Sequence, residues 1–254
     1  MNPVIGLVAT LPAEARALLG RGAWHGAGRG LLWRRSHEEG VSLLTVRSGM
    51  GMINAFTAAR WLVARGVSGL ASIGIAGGLS PLVNSGDMVL ADKVLEESAD
   101  GCNRIWGEDS EFVRLVCAGL LKNGLPVHRG AIVTSQDPVL TVQRKRELFA
   151  KTRALVVDME SAAVATAARE SGLPFFAART VCDTMNRTIP PELFKCINRR
   201  GRVRPLYLFL ALGRRPSLIF ALLDAHRDFS LALASLGQAW RAQIKINLPA
   251  LIAS

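Results

Sequence analysis

The sequence is short of several things that would each define a function class. Aromatic residues make up only 6% of its 254 positions, with a single tyrosine, so the row of rings on which nucleic-acid bases stack is missing. The four cysteines, Cys102, Cys117, Cys182 and Cys196, form no CxxC pair and no Cys/His ligand spacing. That excludes the usual zinc modules and leaves free thiols in a reducing cytoplasm as the simplest expectation. The opening residues lack the basic stretch of a secretory signal. No apolar run approaches the ~20 residues that cross a bilayer. Acidic residues number 20 against 31 basic ones, for a formal charge of +11.

That imbalance is local. From Lys195 onward there are ten basic residues against two acidic ones, Asp224 and Asp228, so eight of the eleven net charges lie in the last quarter of the chain. Without interleaved aromatics this reads as a solvated basic face or a surface for anionic lipid headgroups, and nucleic acid is not expected.

What the sequence does have is half hydrophobic composition and alternating strand and helix signals. One domain over 1–254 is expected, with 195–254 as a basic, helical extension. Val4 to Ala9 reads as a buried strand and Ala13 to Leu19 as a helix. Val41 to Val46 is a second strand, followed by the turn Ser48-Gly49-Met50-Gly51 and an amphipathic helix over Met52 to Arg65. Leu70 to Ile75 is a third strand that runs into an apparent glycine turn, Gly74 to Gly78. Short strands over Asp87 to Asp92, Gly130 to Ser135 and Val156 to Asp158, an alanine-rich helix over Met159 to Glu170, and a strand over Phe175 to Cys182 follow. This order predicts an α/β fold with a central mixed, mostly parallel twisted sheet flanked by helices. Ligands in such folds lie at the carboxyl ends of the strands. Beyond Pro190-Pro191, the apolar runs Leu206 to Leu212 and Leu218 to Leu223 read as helices packed on the domain or lying at an interface.

Three stretches carry a resemblance. They are Ser72-Ile73-Gly74-Ile75-Ala76-Gly77-Gly78-Leu79 with Ser85-Gly86-Asp87, then Val157-Asp158-Met159-Glu160-Ser161-Ala162-Ala163, then Arg179-Thr180-Val181-Cys182-Asp183-Thr184. Their order and spacing over about residues 4 to 187 resemble the purine nucleoside phosphorylase and methylthioadenosine/S-adenosylhomocysteine nucleosidase superfamily. The resemblance implies cleavage of the bond between a purine base and C1′ of a ribosyl group, with no metal and no organic cofactor. Inorganic phosphate is the one co-substrate it leaves open, and a homo-oligomer is its usual assembly.

Such a reaction passes through a ribosyl cation, so a site must protonate the departing base, hold the sugar and place a nucleophile beneath C1′. By resemblance, Asp183 is the proton donor to N7 and Glu14 the activator of water. Glu160 receives the 2′- and 3′-hydroxyls, with Met159 against the sugar. Met50, Val139, Leu140 and Asp158 are candidates for the base pocket. Ser48, Gly74, Ile75, Ala76, Gly77 and Arg16 are candidates for the nucleophile or anion site. The chain departs from the family's pattern at Cys182, where serine is usual, at Ile75, where nucleosidases often have serine, and at Val139, where an aromatic often stacks on the base. Plainer readings compete: Asp183 as a helix cap, Glu160 as a first-turn acid, Glu14 and Arg16 as helix-surface charges.

The tail sharpens the resemblance. Arg199-Arg200-Gly201-Arg202-Val203-Arg204-Pro205-Leu206, followed by Gly213-Arg214-Arg215-Pro216, is similar to the hopanoid-biosynthesis-associated phosphorylases. This implies adenosylhopane, a membrane-resident adenine nucleoside, as substrate, with peripheral contact at the membrane's inner face. A methylthioadenosine/S-adenosylhomocysteine nucleosidase, a phosphate-dependent phosphorylase and a non-catalytic nucleoside-binding protein are the alternatives.

Overall fold

A computed structural model describes residues 3–28, 30–107, 110–198 and 200–253. In chain order the elements are β1 (Val4–Ala9), α1 (Pro12–Leu19), β2 (His25–Gly26), β3 (Leu32–Glu38), β4 (Val41–Arg47), α2 (Met52–Val63), β5 (Gly69–Gly78), β6 (Met88–Ser98) and β7 (Gly101–Gly107). There follow α3 (Glu111–Lys122), β8 (Val127–Thr134), α4 (Val142–Thr152), β9 (Val156–Asp158), α5 (Ser161–Glu170) and β10 (Phe175–Asp183). The C-terminal region comprises α6 (Pro191–Lys195), α7 (Pro205–Arg214) and α8 (Leu218–Ala239), then a π-helical turn (Trp240–Ile244) and α9 (Lys245–Ala253).

One sheet runs β10-β6-β8-β9-β5-β1-β4-β3-β2, with β7 paired to β6. β10 also bonds to β5, so β5, β10, β6, β8 and β9 close into a ring. The sheet is mixed as expected, but parallel and antiparallel pairings are equal in number among the described residues. The antiparallel share comes largely from short strands and hairpins whose alternation is too weak to read from sequence.

The central strands are buried on both faces, and their side chains divide between two cores as a period of two requires. Phe175, Ala177 and Val181 of β10 enter one core with α2 and α5. Phe176 and Ala178 enter the other with α1, α3 and the C-terminal helices. α5 is built from alanines, which lets it lie close against the sheet; Ala162, Ala165, Ala167 and Ala168 have no exposed surface. On the other side, Phe112 meets Phe176 edge-on at 4.7 Å between centroids.

The C-terminal region splits in two. Leu236, Ala239, Trp240, Ile244, Leu248 and Leu251 complete the second core, and Gly237 lets α8 approach α1, where a Cβ would come within 2.9 Å of Ala17 O. α7, by contrast, has no buried residue.

The apparent glycine turn at Gly74 to Gly78 is corrected: these residues continue β5, paired with β10 through Gly77 and with β9 at Gly77 and Gly78. None of the three glycines is among those with positive φ. They are there for space. A Cβ on Gly74 would collide with the Glu14 carboxylate and one on Gly78 would come within 3.0 Å of Asp183 O, while Gly77 faces the Asp183 carboxylate at ordinary contact distance.

Candidate active site

The parallel strands β4, β1, β5 and β10 lie side by side, and Glu14, Asp183, Ser48 and Gly74 to Gly77 lie at or just beyond their carboxyl ends. Glu14 sits in the first turn of α1, which follows β1. It is buried, not a surface charge, because both oxygens are used inward: Leu11 N donates to Oε2 at 2.7 Å and Ile75 N to Oε1 at 2.9 Å. Burial raises its pKa above the usual carboxylate range, and these two amides oppose the rise.

Glu160 is the N-cap residue of α5, which begins at Ser161, two residues after the Met159 start expected from sequence. Gly51 N donates to its Oε1 at 2.7 Å, and Gly49 and Gly51 both need positive φ to turn that amide inward. The Glu160 pKa is pushed up to about 8, first by burial and then by the neighbouring Asp158 charge; the Gly51 amide and Arg179 oppose it. Glu14 also raises it, which places the two glutamates within electrostatic reach of each other.

Asp183 ends β10 and caps no helix. It is buried, and its pKa is raised by that burial. The Gly74 and Gly77 contacts place Glu14 and Asp183 three residues apart along β5, about 10 Å of strand.

Asp158 is buried and faces inward. It accepts from Arg179 Nε at 2.8 Å, from Thr134 Oγ1 at 2.6 Å, and from the Ser161 amide at the start of α5. Arg179 in turn donates to Ser72 Oγ at 2.7 Å. This buried pair fixes the floor of the site, a part that nothing in the local sequence around Arg179 indicates. Arg16 is exposed on α1, turned away from the inward face that carries Glu14. Ser48 is buried and donates to Gly49 O at 2.8 Å. Met50, Met159, Ile75 and Leu140 are half-buried, and Ala76 is buried. Val139 packs with Leu79, Val133, Leu148 and Val157 at the edge of a cavity of about 310 Å³ that Ser135, Glu97 and Arg144 also line. A larger cavity of about 720 Å³ lies among His25, Trp33, Trp61 and Arg65, and none of the three carboxylates lines it.

One neighbour of Asp183 carries no readable signal in sequence. Lys145, in the basic run Arg144-Lys145-Arg146, is fully buried and its ammonium donates to the Asp183 carboxylate. Its only hint is that Lys145 and Leu148, three apart, share the buried side of α4. Among the described residues no group of three or more His, Cys, Asp or Glu is arranged to hold a metal ion.

Residues 5–195 match the phosphorylase superfamily. A 5′-methylthioadenosine/S-adenosylhomocysteine nucleosidase from Marinomonas sp. is 30% identical over 170 residues, covering 60% of this chain and 72% of that protein. The enzyme of the same name from Thermotoga maritima is 32% identical over 145 residues, covering 56% and 65%. Among solved structures, the S-adenosylhomocysteine nucleosidase of Streptococcus pyogenes with 5-methylthiotubericidin superposes with a TM-score of 0.72 at 19% identity, covering 98% of this chain and 97% of that one. A futalosine hydrolase mutant of Helicobacter pylori gives 0.72 at 15% identity, covering 95% and 98%. At these identities the structures establish a shared fold.

Proposed function

Because the chain belongs to the phosphorylase superfamily, we propose that it is an N-glycosidic bond hydrolase that releases adenine from an adenine nucleoside. The observation that carries this reading is the convergence of three buried carboxylates, Glu14, Glu160 and Asp183, at the carboxyl ends of adjacent strands. Burying three acids is costly, and a stable core alone gives no reason to do it. In the reaction, the C1′–N9 bond breaks and its electron pair goes to the base, which takes a proton at N7 from Asp183. Water adds to C1′ and gives its proton to Glu14, whose raised pKa suits it to accept. Glu160 accepts hydrogen bonds from the ribose hydroxyls.

Hydrolysis is favoured over phosphorolysis by where charge sits. Ile75 N, in the stretch offered as an anion site, is taken by Glu14, and a bound phosphate would face that carboxylate. Adenine release should therefore proceed without phosphate and be suppressed in Glu14→Ala. An absolute phosphate requirement would overturn the hydrolytic assignment.

For the substrate we propose adenosylhopane, with the α7–α8 hairpin seated on the cytoplasmic face of an anionic membrane. Leu206, Phe209, Phe220 and Leu223 are 65%, 75%, 72% and 58% exposed, an apolar surface a soluble protein rarely leaves bare. Arg204, which stacks on Tyr207 at 3.7 Å, and Arg214 and Arg215 flank it, while Arg199 lies outside the described residues. No helix among the described residues is long and apolar enough to cross a membrane, so contact would be interfacial. Self-association through this face would set like-charged arginines against one another. If the chain forms a homo-oligomer, Ile53, 84% exposed at the start of α2, is the better place for a second copy. The discriminating assay compares adenine release from adenosylhopane in phosphatidylglycerol vesicles with release from methylthioadenosine. Cleavage of methylthioadenosine alone would replace adenosylhopane by the soluble substrate.

A further inference from the structure

We propose that Lys145 is the positioning residue of the proton donor, holding one oxygen of Asp183 so that the other faces the base. The inference rests on Asp183 being the donor. Lys145 has no exposed surface, and each of its three ammonium protons has a partner: the Asp183 Oδ2 carboxylate oxygen, Thr184 O at 2.8 Å and Arg187 O at 2.9 Å. All three lie on the end of β10 or the turn that follows it, so a single side chain from α4 fixes both the carboxylate and the backbone that carries it. Asp183 Oδ1 has no hydrogen-bond partner among the described residues.

The neighbouring Cys182 does not supply this function. A thiol is a weak donor, and burial together with the Asp183 charge pushes Cys182 up to about 12, so it stays neutral. Lys145, from α4, does what a hydroxyl beside the acid would do, and brings a positive charge as well. That charge acts on the reaction itself. When Asp183 passes its proton to N7 it becomes a carboxylate in a dry site, and the ammonium stabilises the anion that forms. The groups around Asp183 are Lys145 from α4, Asp228 from α8, and Arg187 and Cys182 from its own segment. Arg187 is paired with Asp228 at 2.6 Å, which leaves Lys145 as the cation in direct contact with the acid.

The test is a cycle of Lys145→Met, Asp183→Asn and the double variant, assayed for adenine release across pH. Lys145→Met should lower kcat by about 10- to 100-fold, with KM changed by less than about threefold. Its alkaline limb should move up by about one pH unit, because a donor that has lost its cation holds its proton more tightly. In the Asp183→Asn background the same substitution should cost less than about twofold, since the group it serves is gone. If Lys145→Met leaves an unpaired acid that unfolds the protein, the double variant restores a neutral pair and is read against Asp183→Asn alone. A limb that does not move, or a further loss above about tenfold in the double variant, overturns the positioning role. Near-normal turnover in Asp183→Asn would instead remove the donor assignment, and the Lys145 proposal with it.

Discussion

The carboxyl ends of β1, β5 and β10 and the α7–α8 hairpin depart from ordinary burial in opposite directions. At the strand ends, ionisable side chains are inside: Glu14, Lys145, Asp158, Glu160, Arg179 and Asp183 are all buried. On the hairpin, apolar side chains are outside, and α7 buries nothing. Stability alone would select neither arrangement, since buried charge costs desolvation and exposed leucine or phenylalanine contributes no transfer energy. The difference lies in how each is compensated. The buried charges are matched within the chain, by Arg179 on Asp158, by Lys145 on Asp183 and by backbone amides on Glu14 and Glu160. The hairpin is matched by nothing inside the chain and has to find its complement elsewhere.

The sharpest way to break that contrast is at the strand ends. Asp183→Asn keeps size and shape and should lower kcat for adenine release by on the order of 10²-fold or more, as removal of a positioned acid does. Turnover near that of the unmodified enzyme would place Asp183 among the structural charges.

A second effect is on stability. With its pKa raised from 4.5 to about 8, Glu160 contributes stability as a neutral acid that is complete below about pH 4.5 and is lost as pH rises through 8. Glu160→Gln should therefore stabilise the protein little at pH 5 and progressively more toward pH 8. At 1.36 kcal/mol per pKa unit the gain is at most a few kcal/mol, less for the share that Asp158 contributes. Melting temperatures of both proteins across this range measure it, and a difference that does not grow with pH would contradict the burial account.

The same substitution should weaken turnover of ribosides by about 10-fold or more, while 2′-deoxy analogues, lacking one donor to Glu160, lose less. Equal losses would detach Glu160 from the hydroxyls.

The smallest effect belongs to the hairpin. Replacing Phe209 and Phe220 by Ser, or Arg200, Arg202 and Arg204 by Gln, should leave the melting point and the cleavage of a soluble adenosine analogue within error, because none of these side chains is buried. Each arginine can contribute up to ~1 kcal/mol to binding at an anionic surface. Co-sedimentation with phosphatidylglycerol vesicles should fall in both variants and, for the unmodified protein, weaken at high salt. If that protein stays in the supernatant at every salt concentration, the hairpin is a solvated face.

Local sequence was enough for much of this molecule. The alternation of short apolar runs with amphipathic ones marked the central strands β1, β4, β5, β6, β8, β9 and β10 and helices α1, α2 and α5, because side-chain period depends on neighbours along the chain, while β2, β3, β7, α3 and α4 went unread. The resemblance to the nucleosidase superfamily pointed to Glu14, Glu160 and Asp183. Tertiary structure decided what depends on distant partners. The glycines of Gly74 to Gly78 have the composition of a turn, yet pairing with β10 and β9 keeps them in a strand. Lys145 stands in a run of basic residues like any surface helix, and only the arrival of Asp183 and the backbone after it makes burial of its ammonium tolerable. Two helices of similar apolar content, α7 and α9, end in opposite environments: Leu248 and Leu251 reach the core beside α3, while Leu206 and Phe209 reach no part of it. Composition sets how much apolar surface a helix carries, and the path of the chain decides whether anything is there to cover it.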